Sequence, residues 1–496
     1  MSTAYQKLQT AFTQISALEG AASMLGWDAE TMMPEGAADI RGEQLAALAT
    51  VIHEKMTNPA IAQWLDRAKD ESGLSLWQQA NLREMQREYL HANALPADLV
   101  HALTKARIAC EHVWREARKE NDFARFKPYF ETVLSLVQQA ATVKGEALKL
   151  SPYDALLDSY DPGMRCQVID GYFAELESFL PDLVSRAIDA QSKKPAAPIT
   201  DTIPIDRQTA LGREFMTLLG FDFSAGRIDT SAHPFCGGVP GDVRLTTRYK
   251  ESAFTESLYG VLHETGHALY EMGLPRDWIT QPVGRARGMS MHESQSLLVE
   301  MQLCRGRDFL AFALPKIRAA FGVSGAAWDE ENVSRNLTRV SRSLIRVNAD
   351  EVTYPLHVIL RYQLEKQLLS GALRVADLPE VWDERMEALV GIKPDCVGNG
   401  CMQDVHWPGG NIGYFPTYTI GAMIAAQLFH AANQALPDLP SLIRHGDFHP
   451  LFSWLRENVH GKGSSLSTME LVEQATGQPL NVAIYRAHLE RRYVSG

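Results

Sequence analysis

The sequence predicts a mainly α protein, a large helical body with one small sheet. Three observations carry this. Most of the chain has helical periodicity in Ala, Leu, Gln, Glu and Arg with few β-branched runs. Only one stretch leans towards β-structure, 226–249 (GRIDTSAHPFCGGVPGDVRLTTRY). A second irregular island, Gly391 to Thr419, is rich in Gly, Pro, Tyr and Trp and precedes a helical close. Segments 4–19, 39–55, 76–90, 97–119, 125–149, 165–190 and 207–219 read as helices. Ser151-Pro152 ends one of them, and Asp161-Pro162-Gly163 marks a turn. Lys193–Pro204 holds three prolines in twelve residues and reads as an internal connection, too short to separate freely moving domains. Within 226–249, one or two strands flank a loop. Helices resume at Ser252 and run with breaks to about Ser370. Near the end, Ser467-x-x-Glu470 reads as a capping box.

Composition narrows the function. The chain has 496 residues, 45% hydrophobic and 22% charged, which is globular usage. Sixty acidic residues against 48 basic ones leave a formal charge of −12, which argues against nucleic-acid and anionic-membrane partners. Six cysteines, with only Cys396 and Cys401 close together, form no disulfide framework and read as reduced thiols. The N-terminal segment lacks the apolar core of a signal peptide, and no apolar run approaches the ~18 residues that span a bilayer. A cytoplasmic protein is the expectation.

One motif carries chemistry. Residues 263–267 read His-Glu-Thr-Gly-His inside a strong helix candidate, Phe254–Met272, with Phe254, Leu258, Val261, Leu262 and Leu269 as its apolar positions. Four residues apart on a helix, His263 and His267 share one face with Cβ atoms ~5–6 Å apart, so both rings can reach one ion. Glu264 is rotated ~100° from His263, beside the ion, where it can take a proton from water. A catalytic zinc needs a third protein ligand and an open position. The extended HExxHxxGxxH pattern fails, because Tyr270 and Gly273 stand where Gly and His are needed. Glu271 lies ~12 Å along the axis from His263, too far to share the ion. The third choice is a glutamate on the next helix. Gly273–Gly288 contains two Pro and three Gly, so the chain turns, and a helix then begins near Ser290. Glu293 is its first acidic residue, unless it is the N3 Glu of a capping box with Ser290. Glu300 is a weaker candidate two turns deeper.

With HETGH followed by His292-Glu293-Ser294-Gln295, the chain resembles the M32 family of zinc metallocarboxypeptidases, the carboxypeptidase Taq group, over nearly its whole length. His233-Pro234-Phe235 is similar to the family's HPF motif, Asp242–Thr247 to DxRxT, Ile345–Asp350 to IRxxAD and Gly400–Trp407 to GxxQDxHW. Trp27-Asp28 with Met33-Pro34 resembles the N-terminal segment. The resemblance implies a gluzincin architecture like that of neurolysin and angiotensin-converting enzyme. In it a long cleft has a small antiparallel sheet beside a zinc at its floor. It implies one peptidase unit over 1–496, with a mainly helical part, 1–205, and a zinc-binding catalytic part, 206–496. It implies a homodimer that removes single residues from peptide C-termini with broad preference, poorly at proline. His263, His267 and Glu293 would hold Zn²⁺, for which Co²⁺ can substitute, and Glu264 would be the general base.

An oxyanion needs donors beyond the metal. His406, Tyr414 and Tyr418 lie on the second irregular island, and similarity to gluzincins favours His406 and Tyr418. A substrate carboxylate asks for a guanidinium fork. The family points to Arg346, whose alternative is an ion pair with Asp350 at helix-pair spacing. His233 and Arg244, on the strand region, are expected on the substrate side or in a structural role, and Tyr414 on the substrate side. Two other readings predict different behaviour. A dipeptidyl carboxypeptidase or oligoendopeptidase would release larger products, and a helical scaffold with a structural metal would release none.

Overall fold

The computed structural model describes residues 2–495, which fold into twenty α-helices and one three-stranded sheet. No helix among the described residues is long and apolar enough to cross a membrane. All six cysteines are free thiols.

Helix α1 (Ala4–Thr31) starts at a Thr3/Gln6 capping box and buries Tyr5, Leu8, Phe12 and Ile15. These pack with Met56, Ile61, Leu65 and Met85 into a small N-terminal core. α1 runs a further three turns past the expected end at residue 19. That stretch is rich in Gly and Ala, so it lacks an apolar stripe, but its small residues let it lie against the sheet. Ser23 Oγ donates to Gly238 O (2.8 Å), and the Trp27 ring sits 5.0 Å from that of Phe235. Three helices, Pro59–Lys69, Pro152–Leu157 and Leu378–Val390, lie outside the segments that the sequence reads as helical. Each begins with a proline in its first turn, a position that breaks an apolar pattern while starting a helix. The 193–204 connection is packed down: Ile203 is buried and its N–H donates to Glu251 O (2.9 Å). The main core is one cluster running from Leu103 to Tyr493.

The sheet holds β1 (Gly226–Thr230), β2 (Cys236–Val239) and β3 (Asp242–Thr247) in the order β1-β3-β2. It has one more strand than the upper expectation, and it is mixed rather than wholly antiparallel. β2 and β3 form an antiparallel hairpin across Pro240-Gly241, while β1 pairs parallel with β3. The reason lies in loop 231–235, which crosses the end of β3 and puts β1 on its far side. There Ser231 N–H donates to Thr247 O, and Thr246 N–H to Phe235 O. Val243 and Leu245 on β3 bury against Val261 and Ala268 of helix α2 (Phe254–Gly273).

Behind α2 lies helix α3 (Gly288–Leu297), which continues as a π-helical turn, Leu298–Cys304. Two close approaches fix α3. A Cβ on Gly266 of α2 would stand 2.5 Å from Gln295 O, and one on Gly421 of α5 (Pro416–Ala435) would stand 2.9 Å from Glu293 Cβ. Helix α4 (Tyr354–Ser370) and α6 (Val482–Tyr493) complete the surroundings. α6 holds the π-helical turn through Arg492, whose guanidinium donates to the carbonyls of Met301 and Gln302. Such a cation satisfies carbonyls that the turn leaves open.

At that junction Glu351 is buried and accepts from Gln302 Nε2 (3.0 Å), Arg492 Nη1 (3.2 Å) and Tyr493 OH (2.6 Å), with His488 Nε2 at 2.9 Å. Burial alone would raise its pKa. The surrounding donors and the Arg492 charge win and hold it well below the ordinary 4.5. Asp158 and Asp404 are held low in the same way. A carboxylate with a depressed folded pKa stabilises fully above its unfolded value, and that contribution fades as pH falls towards the folded value. The part of the thermal midpoint owed to these three carboxylates should therefore stay constant from pH 7 to about 5 and fade steeply below about 4.5. Glu351→Gln should flatten part of that acid slope while costing on the order of 3 kcal/mol at neutral pH, because it unbalances a buried charge network. Differential scanning calorimetry across pH reads both effects.

Candidate active site

His263 and His267 project one turn apart from α2, their ring centroids 5.0 Å apart. α3 brings Glu293 up to them, with its Oε2 3.7 Å from His263 Nε2 and 3.4 Å from His267 Nε2. One ligand atom from each lies within 4.8 Å of the others, a spacing a single cation could bridge. This donor set of two imidazoles and a carboxylate fits a divalent ion with a position left open. The carboxylate is turned away from a capping role, because α3 begins at Gly288, two residues earlier than expected, and Ser290 does other work. Ser290 Oγ donates to buried Asp161 (2.5 Å), which also accepts from Thr468, and Met289 N–H donates to Tyr160 O (2.7 Å). These contacts anchor the first turn of α3 from outside.

Glu264 is only 6% exposed and accepts no hydrogen bond among the described residues. Burial pushes its pKa up to about 7, the Glu293 charge adding and His263 opposing. His267 is pushed down to about 4, chiefly by burial. For His263, burial pulls the same way but the carboxylates of Glu293 and Glu300 outweigh it and raise the ring to about 10.

The two glutamates weighed from the sequence as ligands stand one layer out. Glu300, presented by the π-helical turn, accepts from His263 Nδ1 (3.0 Å) and from Arg305 (2.8 Å). Glu271 lies 2.8 Å from His292 Nε2, and His292 Nδ1 lies 2.6 Å from His267 Nδ1. Sequence reasoning missed His292. The available signal was its place beside Glu293, which turns its side chain ~100° around α3.

The second irregular island comes near enough for the Glu293 charge to act on its tyrosines. His406 Nε2 lies 3.3 Å from Tyr418 OH, and the Tyr414 and Tyr418 rings are 5.3 Å apart. Tyr418 belongs to the first turn of α5 rather than to a loop, because Pro416 at its N-terminus starts the helix. Burial and the charge of Glu293 raise both tyrosines, so their hydroxyls stay protonated. His406 is pushed down to about 4, by burial and then by Arg346.

Arg346 is 5% exposed and does not pair with Asp350. Residues 346–348 form a single 3₁₀ turn followed by extended chain, so four-residue spacing does not align the two side chains. Asp350 instead accepts from the N–H groups of Ser341, Val352 and Thr353. Arg346 donates to Asp404 (Nε, 2.9 Å) and to Tyr354 OH (2.7 Å), and Arg361 donates to the other Asp404 oxygen (2.7 Å). Two buried guanidinium groups face one carboxylate, which leaves excess positive charge there. Arg244 is bound by Asp242 (2.6 Å) with its Cζ 6.0 Å from the Trp27 ring centroid, and His233 is exposed on loop 231–235. Neither is joined to the trio of His263, His267 and Glu293. Cys236 of β2 packs against the cluster that holds Val261 and Ala268 of α2, and burial, then the charges of Glu264 and Glu271, raises its thiol pKa.

Residues 7–493 match the family model described as carboxypeptidase Taq (M32) metallopeptidase. The chain belongs to the M32 family. It is 38% identical to thermostable carboxypeptidase 1 of Thermus thermophilus over 99% of this chain and 98% of that one. It is 34% identical to carboxypeptidase 1 of Bacillus subtilis over 97% and 96%. Among solved structures, Trypanosoma cruzi metallocarboxypeptidase 1 superposes with a TM-score of 0.96 at 40% identity, covering 99% of each chain. The M32 carboxypeptidase of Deinococcus radiodurans gives 0.93 at 37%, covering 100% and 99%. As an M32 member the chain is a metallocarboxypeptidase, a peptide-bond hydrolase that works with a divalent metal ion. The family assignment agrees with the mainly helical body and small sheet.

Proposed function

We propose that the chain is a zinc carboxypeptidase that hydrolyses the C-terminal peptide bond of peptides and releases single amino acids. Its preference is broad and it works poorly at proline. The observation that carries this reading is the trio His263, His267 and Glu293 with an unengaged, buried Glu264 beside it. Two histidines and a glutamate suit Zn²⁺, and Co²⁺ fits the same donors. When bound, the ion polarises the scissile carbonyl and the attacking water.

The protein's own groups do the rest. Glu264 accepts the proton of the attacking water and passes it to the leaving amine. Tyr418, with its hydroxyl protonated and steered by His406, donates to the oxygen that gains charge, and Tyr414 flanks the bound peptide. Arg346, backed by Asp404 and Arg361, supplies the positive charge for the substrate's terminal carboxylate, with Tyr354 OH as the partner it exchanges. His233 and Arg244 contact the substrate from the sheet side. We place the protein in the cytoplasm, and by resemblance to the family it works as a homodimer of single peptidase units, with 1–205 as the helical part and 206–496 as the catalytic part.

The test is product identity. A defined octapeptide incubated with zinc-loaded protein should release free amino acids one at a time from its C-terminus, read by mass spectrometry, and should stall at proline. Dipeptides or internal fragments would move the assignment to a dipeptidyl carboxypeptidase or oligoendopeptidase. Release of nothing would favour a metal-binding scaffold.

A further inference from the structure

We propose that His292 and Glu271 form an outer pair that fixes the tautomer and ring orientation of His267, and so sets a share of the protein's metal affinity. This rests on the metal-ligand reading of His263, His267 and Glu293.

The argument is a count of protons. Two imidazole nitrogens 2.6 Å apart, His267 Nδ1 and His292 Nδ1, need one proton between them. The other nitrogen of His292 faces a Glu271 oxygen at 2.8 Å. An ionised carboxylate only accepts, so His292 Nε2 carries a hydrogen. In neutral His292 the Nδ1 is then bare and takes the hydrogen of His267 Nδ1. That leaves His267 Nε2 with a free lone pair, and it is this atom that faces Glu293 at 3.4 Å. The reverse arrangement, with a hydrogen on His292 Nδ1, would move the hydrogen of His267 to Nε2 and block ligation. The His292 ring is held in place, with its centroid 4.6 Å from that of His267 and 5.4 Å from that of Tyr270.

The two imidazoles are thus supported unlike one another. His263 Nδ1 meets a carboxylate directly, Glu300, whose charge Arg305 offsets. His267 meets a neutral ring, with the carboxylate one step further out. Glu271 in turn lines a cavity of about 860 Å³ walled by α1, the β2–β3 turn and segment 274–286, which none of the three ligands reaches. No lysine or arginine pairs with Glu271 among the described residues, and the His292 ring is its partner. His292 and Glu271 are positioning residues, acting through His267.

The test uses the full chain stripped of metal. Zinc affinity is measured by competition with a chromogenic chelator for the wild type, His292→Leu, His292→Asn and Glu271→Ala. Loss of an outer partner of this kind lowers affinity about 10–100-fold, the loss expected for His292→Leu. His292→Asn should recover most of it, since its carboxamide oxygen can accept from His267 while its NH₂ reaches towards Glu271. Glu271→Ala, at the cavity wall, should show a smaller loss and keeps the test open if His292→Leu does not fold. A second readout needs no metal. Proton–nitrogen correlation spectra of the histidine rings should place His267 in the Nδ1–H tautomer in the wild type and away from it in His292→Leu. Zinc bound as tightly by His292→Leu as by the wild type, with His267 in an unchanged tautomer, overturns the proposal. A wild type that binds no divalent ion overturns the ligand reading instead, and the tautomer readout then judges His292 separately.

Discussion

Glu264→Gln should fold, bind zinc with wild-type affinity and lose turnover by about 10²–10⁴-fold, the contribution of a well-placed general base. The substitution is isosteric: it removes the basic oxygen and its negative charge and puts an NH₂ donor in place of one oxygen. Glu264 is not one of the three ligating residues, so metal content should be unchanged when measured by atomic emission on the purified protein. It accepts no hydrogen bond from a neighbour among the described residues, so no network is broken by the change. The loss should fall on kcat with KM little altered, because the residue acts on the water and not on the substrate's binding groups. Activity within a few-fold of wild type would remove Glu264 from the role of base.

Gly266→Ala should cost nearly as much without touching a chemical group. The added Cβ would lie 2.5 Å from Gln295 O and 2.6 Å from Ser296 Cα, both backbone atoms of α3 that cannot rotate away. α2 and α3 must separate, at a cost of about 1–3 kcal/mol in overpacking. Glu293, two residues before Gln295, moves with α3 while the histidines stay on α2. A misplacement of about 1 Å in a catalytic constellation lowers rate by roughly 10²-fold. The expected result is a lower melting temperature, weaker zinc binding and a matching fall in kcat/KM. The same change at Gly260, where an added Cβ meets nothing closer than 3.8 Å, is the control and should be mild.

The candidate ligands were legible because they sit in local arithmetic: i and i+4 on one helix, then a glutamate on the next. The helical body was legible for the same reason, since 3.6-residue periodicity is a local property. What the sequence hid depends on crossings. Glu300 looks like a ligand candidate and Glu271 like one too far along its helix, and only the approach of α2 to α3 shows that they meet His263 and His292. Arg346 and Asp350 share a spacing that means something only on an α-helix, whereas Asp404, the true partner, is 58 residues away. β2 reads Cys-Gly-Gly-Val, too short and too rich in glycine to declare itself. Tyr418 was placed on a loop because the surrounding glycines and prolines outweighed one proline that in fact begins a helix.

The grip of Arg492 on Met301 and Gln302 has a temporal side. Met301 and Arg492 are 191 positions apart, so the arginine leaves the ribosome about 10–40 s after the turn it secures. Throughout that interval a nascent chain already carries His263, His267 and Glu293, but the segment presenting Glu300 is untethered at its end. Stalled or prematurely released chains lacking α6 would expose a soft, half-assembled chelating surface to whatever ions are abundant around them. The Glu300 side of the site is then secured only once α6 has been made and has packed.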